Sequence, residues 1–223
     1  MSAETAIRIT EILLGFSLLL QAQEHLRIPQ DHRRIHITRL ILAFAMILAS
    51  SFYIPLLLFI SGIYLLQKYQ GPYNGGADRM TLLILLCLTI YHLASDSRIQ
   101  NLALAYLAAQ TLLSYFRAGW AKAMNKDWWS GLALQKILKS HYVSGPPKYD
   151  FQSTFRVLGP AIIFLELLLP FFVFSWQLLP LALLLAFIFH GVNAYVLGLN
   201  RFLWVWVSAY PAVLWLLDFH PNS

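Results

Sequence analysis

The sequence predicts an all-α fold, a polytopic bundle of about eight transmembrane helices in one domain spanning residues 1–223. Three observations lead there. The chain is 59% hydrophobic and only 12% charged, about half the charge of an ordinary soluble domain. Its apolar residues fall in long blocks, several near the roughly 20 residues that cross a bilayer as a helix. Its basic residues collect between those blocks, as they do in membrane proteins with positive cytoplasmic loops.

The first block, 6–26, follows Glu4 and contains Glu11. A secretory leader would carry basic residues there and a small-residue cleavage site after the apolar run, so the segment reads as the first membrane helix. The second block, TRLILAFAMILASSFYIPLLLFISGIYLLQKY over 38–69, is too long for one ordinary span. Ser50, Ser51 and Pro55 interrupt it, and proline disfavours helix in the residue before it. One helix here gives seven spans and two short helices give eight. Charge decides between them: only eight spans put the basic stretches 27–39 (RIPQDHRRIHITR) and 117–156 on one side, which is then cytoplasmic.

Blocks at 80–94 and 99–118 follow as single spans. The stretch 128–141 sets Trp128, Leu132, Ile137 and Leu138 against Lys136, Lys139 and His141, an amphipathic helix lying at the interface. GPPKYD ends it, and blocks at 157–175, 178–199 and 202–219 complete the bundle. The expected location is a bacterial inner membrane. The net charge of +6 is then explained by anionic lipid headgroups as partners, with no nucleic acid. The single cysteine, Cys87, makes no internal disulfide and reads as a small apolar filler. No metal-ligand spacing stands out.

Polar groups inside spans are costly and face the bundle interior, where they mark functional sites. Glu11 is either an interfacial carboxylate or a buried functional one. His92, in LTIYHLASD, is an interfacial histidine or a pocket residue. Glu166 lies mid-span, four residues before Pro170, and needs a proton or a cationic partner. His190, Asn193, Asn200 and Arg201 recur on one face if the helix continues, with Gly191 and Gly198 allowing a neighbour to approach. Tyr115, Gly119, Lys122 and Lys126 share another face on the same condition. On spacing alone Lys122 reads as a snorkelling lysine; the chemical alternative is a desolvated general base. The expectation is that these side chains turn inward on one chamber.

The stretch YFRAGWAKAMNKDWWSG resembles the motif of the HTTM family, the membrane domain shared with vitamin K-dependent γ-carboxylase. Tyr115, Phe116, Ala118, Gly119, Lys122, Trp128 and Gly131 carry the likeness. YNGGADRMTLLILL, with Gly75, Gly76 and Asp78, resembles the family's glycine–aspartate lead-in to a span. FLELLLP, with Glu166 and Pro170, and FHGVNAYVLGLNRF, opening at His190, resemble its later helices. DoxX-like proteins share parts of the pattern.

In the carboxylase, the motif lysine is held to deprotonate the vitamin K quinol. The resemblance therefore implies Lys122 as base and a quinone or quinol pocket. In an enzyme, His190 and Glu166 would stand beside that base, and Tyr115, Asn193, Asn200, Arg201 and His92 would line the pocket. The carboxylase's second, adjacent lysine is replaced by Ala121. γ-Carboxylation itself is not implied. A different class of function is a non-catalytic accessory subunit of a larger membrane redox complex. A transporter ranks last because the break near Pro55 has no counterpart elsewhere. Haem binding would need axial ligands such as His92 and His190.

Overall fold

The computed structural model describes residues 1–27, 32–68, 75–139 and 152–218. Among them every regular element is helical. The chain divides into two compact units, Met1–Ala109 with Arg201–Ser223, and Gln110–Asn200.

The first unit contains α1 (Ala3–Leu26), α2 (Arg33–Leu48), α3 (Tyr53–Lys68), α4 (Gly76–Leu93), the first part of α5 (Ser97–Ala123) and nearly all of α10 (Asn200–Asp218). Helix α1 starts at Ser2, whose hydroxyl accepts from the Thr5 amide at 3.1 Å. It packs on α2 at Gly15, where a Cβ would lie 2.7 Å from Ile47 Cγ1 and 3.0 Å from the Ala43 carbonyl. A small residue is what lets two membrane helices meet this closely.

The long apolar block breaks as the serines and proline predict. Helix α2 ends at Leu48 and α3 begins at Tyr53, so Pro55 falls in the first turn of α3. There its missing amide removes no helical bond. The break is held from α1. Arg8 donates to the carbonyls of Met46, at 2.9 Å, and Ile47, capping α2. Arg8 also donates to Glu11 at 3.0 Å, as does the Ser50 hydroxyl at 2.5 Å, while His92 Nε2 lies 2.6 Å from the other Glu11 oxygen. Glu11 is wholly buried, so α1, the α2–α3 link and α4 all converge on one carboxylate.

A second polar network lies about 15 Å further along α1. Arg39 donates to the Leu58 carbonyl at 2.9 Å, to Ser61 at 2.8 Å and to Gln21 at 3.4 Å. Gln21 donates to Asp78 at 3.1 Å, and Arg201 reaches Asp78 at 3.7 Å and Glu24 at 3.2 Å. Five helices are thereby linked through side chains alone. The sequence reading assigned Arg39 to a basic loop. It is instead buried within α2, because the helix starts six residues earlier at Arg33.

The second unit contains the rest of α5, then α6 (Lys126–Trp129), α7 (Leu132–Lys139), α8 (Gln152–Leu168), a 3₁₀ segment Leu169–Phe174 and α9 (Leu178–Leu197). The amphipathic helix expected over 128–141 is two helices. Gly131, at φ 78°, turns the chain between α6 and α7, a conformation that favours glycine. Residues 140 and 141 lie outside the described residues. Helix α8 yields to the tighter 3₁₀ form around Pro170, which cannot continue an α-helical ladder. Helix α9 ends at Gly198, also left-handed, at φ 69°.

Among the described residues three segments are long and apolar enough to cross a membrane: Gly76–Leu93, Ser153–Phe174 and Leu178–Leu197. Helices α2 and α3 have 16 residues each, about 24 Å against a hydrocarbon core of about 30 Å. Helix α1 carries Arg8 and Glu11, and α5 and α10 are diluted by Asn, Gln, Ser and Trp.

Replacing Arg39 by Ala removes the donor that the Leu58 carbonyl, Ser61 and Gln21 share and a cation near Asp78. The expected cost is about 3 kcal/mol. A thiol-reactive dye reports unfolding through the buried Cys87, and an unchanged melting temperature would contradict the network's role.

Candidate functional site

The polar residues of the second unit gather along one face of α5. Tyr115, Gly119 and Lys122 are four and three residues apart, the spacing that stacks side chains on a helix face. Tyr115 is buried, and its hydroxyl lies 2.7 Å from His190 Nε2 on α9. Two turns on, Lys122 Nζ donates to both oxygens of Glu166 on α8, at 2.8 and 2.6 Å. The Lys122 ammonium also sits 5.2 Å from the centre of the Trp128 ring, within cation–π range. Lys122 is 18% exposed and Glu166 5%, so the pair is covered but reachable on the lysine side.

Glycines set this geometry. A Cβ at Gly119 would lie 2.8 Å from the Leu167 amide nitrogen and 3.0 Å from Glu166 Cβ, so α8 lies directly against α5 between the two dyads. A Cβ at Gly159 would fall 2.0 Å from the Trp128 carbonyl, and one at Gly131 2.5 Å from the Phe155 carbonyl carbon. These contacts seat α6 and the turn after it on α8 and so hold Trp128 over Lys122. Trp129 closes the same corner. Its indole donates to the Ala123 carbonyl at 2.7 Å, satisfying the end of α5, and its ring meets Phe164 edge-on. Asn125 accepts from the Asp127 amide at 3.0 Å and starts α6.

Of the residues singled out from sequence, Lys122, Glu166, Tyr115 and His190 come together as two adjacent dyads. The others do not join them. Because α9 stops at Gly198, the His190–Asn193–Asn200–Arg201 stripe is not one face: Asn193 is half-buried on α9, Asn200 is exposed, and Arg201 pairs with Asp78 and Glu24 in the other unit. His92 likewise belongs to the first unit, on Glu11. Lys126 lies past the end of α5. Gly191 does not serve a close approach, since a Cβ there meets nothing within 4 Å among the described residues. The cation–π cover from Trp128 was not anticipated. The Trp six residues after Lys122 was the available signal, but only the two-helix turn brings it back over the lysine. No group of three or more His, Cys, Asp or Glu suited to a metal occurs among the described residues.

A contrast between glycines checks this packing. Gly159→Ala forces α6 away from α8 and should cost about 2 kcal/mol. Gly191→Ala, in open space, should be neutral or stabilising by up to about 1 kcal/mol through helix propensity. Thermal unfolding followed by the helical circular dichroism of the whole chain separates the two, and equal melting temperatures would refute the seating of α6.

No curated protein and no solved structure matches the chain. The HTTM domain family model matches residues 88–215, more than half of the 223, and spans Tyr115, Lys122, Glu166 and His190. The chain is an integral membrane protein and belongs to the HTTM family.

Proposed function

We propose that the Lys122–Glu166 pair is a proton-accepting site for a lipophilic hydroxyl compound of the quinol class that enters from the bilayer. The observation that carries this reading is the bidentate 2.8 and 2.6 Å contact of a partly exposed ammonium with a buried carboxylate on a membrane helix. The base is then the pair rather than the lysine alone. The ligand O–H gives its proton to the Glu166 carboxylate, leaving a carboxylic acid and a phenolate. The Lys122 ammonium, freed of half its partner, stabilises the new anion at the position where charge develops. Desolvation strengthens that attraction, since opposite charges interact far more strongly outside water. Tyr115 and His190 supply a second hydrogen-bonding dyad about 10 Å along α5.

A second reading is favoured by the same saturation of Lys122. In a non-catalytic subunit of a larger membrane complex, the pair would only fasten α5 to α8. Phe174, Trp176 and Tyr195 are 87%, 73% and 92% exposed, apolar surface that lipid or a partner would cover.

A charge swap distinguishes the two. Protein in nanodiscs is mixed anaerobically with a short-chain naphthoquinol, and the absorption band of bound phenolate is recorded. The wild type should show the band, while Lys122→Met and Glu166→Gln should lose it about a hundredfold in affinity, as expected for a charge-assisted contact worth about 2–3 kcal/mol. Lys122→Glu combined with Glu166→Lys keeps an ion pair but exchanges base and cation. It should restore the melting temperature without restoring the band. A band unchanged in Lys122→Met would end the proton-acceptor reading; no band in the wild type, with stability restored by the swap, would favour the subunit reading.

A further inference from the structure

The end of α5 and the α6–α7 segment together carry a surface that the chemistry at Lys122 does not use. Over residues 117–139 the sequence has five cations and one carboxylate, Asp127, already held by Lys136 at 2.7 Å. Arg117, Lys126 and Lys139 are exposed. Beside them Trp120, Met124 and Trp129 are exposed at 56%, 71% and 43%. Large apolar side chains interleaved with exposed cations match the charged headgroup and apolar acyl boundary of an anionic leaflet. The same segment is seated on α8 through Gly131 and Gly159 and carries the Trp128 ring that covers Lys122.

We infer that α6–α7 is a membrane-surface latch: it docks on anionic lipid headgroups, and docking holds Trp128 over the Lys122–Glu166 pair. Anionic lipid thus regulates access to the pair. The inference rests on that pair being the reactive site, but the cover itself can be measured without any ligand. Each lysine near an anionic surface contributes about a fivefold preference for the docked position. Removal of Lys126 and Lys139 should therefore release the latch, while Lys136 is left to hold Asp127.

The test is acetylation of Lys122 by a small uncharged ester, read by mass spectrometry. The protein is placed in nanodiscs of phosphatidylcholine alone or with about a third phosphatidylglycerol. Labelling is expressed relative to Lys68, which is exposed and in the other unit. Anionic lipid should slow the relative labelling of wild-type Lys122 about twenty-five-fold, the product of the two lysine contributions. In Lys126→Gln/Lys139→Gln the two lipids should give equal rates, and in Trp128→Ala labelling should be fast in both. The Cys87 dye confirms that each variant is folded. Equal wild-type rates in the two lipids overturn the latch, and so does slowing that persists in the double lysine variant. Because no quinol is added, this result stands apart from the phenolate band: a latch can be found where the band is absent, and the reverse.

Discussion

The contact between Lys122 and Glu166 joins an ammonium to a carboxylate at 2.6 Å with little water on the carboxylate side. Removing two such charges from water costs several kcal/mol per ion, and only close geometry with further hydrogen bonds repays it. Glu166 is not tolerable alone at that position, and its partnership with Lys122 demands that α5 and α8 lie side by side. Gly119 makes this approach feasible, because any side chain there would strike the α8 backbone. The tryptophan over the ammonium supplies additional attraction. The local fold of the second unit can be read as a set of accommodations to this pair.

The first unit obeys the same constraint with different residues. Glu11 has no exposed surface and is met by an arginine, a serine and a histidine from three chain segments. Arg39, buried on α2, spends its donors on a carbonyl, a hydroxyl and an amide before any carboxylate is involved. A guanidinium suits this role because its planar fork makes several directed bonds at once. In both networks the polar groups bind helices to one another where lipid supplies no hydrophobic drive between them.

These pairings explain how much of the fold was legible in the sequence. The break of the long apolar block could be read from Ser50, Ser51 and Pro55, because proline chemistry is local. The lysine motif was legible because its aromatic, glycine and tryptophan residues fall at fixed spacing, and Glu166 was visible as a lone acid in an apolar run. Other features depended on tertiary placement. Nothing local separates Arg39 from its neighbours Arg33 and Arg34, so its burial could not be foreseen. His92 looked like a pocket residue or an interfacial one, and only folding delivers it to Glu11. The stripe from His190 to Arg201 failed for a readable reason: Gly198 was taken as a packing residue when its left-handed backbone ends the helix. Glycine signals freedom, but sequence alone does not say whether that freedom is used for contact or for a turn.

The length of α5 accounts for a lysine at its end. Its 27 residues extend about 40 Å, more than the roughly 30 Å of hydrocarbon in a bilayer. Lys122, one residue from the last, therefore lies at the end of the helix, about 10 Å along the same face from Tyr115. A lysine there needs no partner merely to be tolerated, because its stem can carry the ammonium to water. It nonetheless turns to a buried carboxylate and lies beneath an indole. Snorkelling would minimise the cost of the charge, and the folded chain forgoes it. On the proposed reading, an ammonium held inward keeps a proton donor and a proton acceptor together for an amphipathic hydroxyl compound arriving from the bilayer. A plain anchor would have left the carboxylate out.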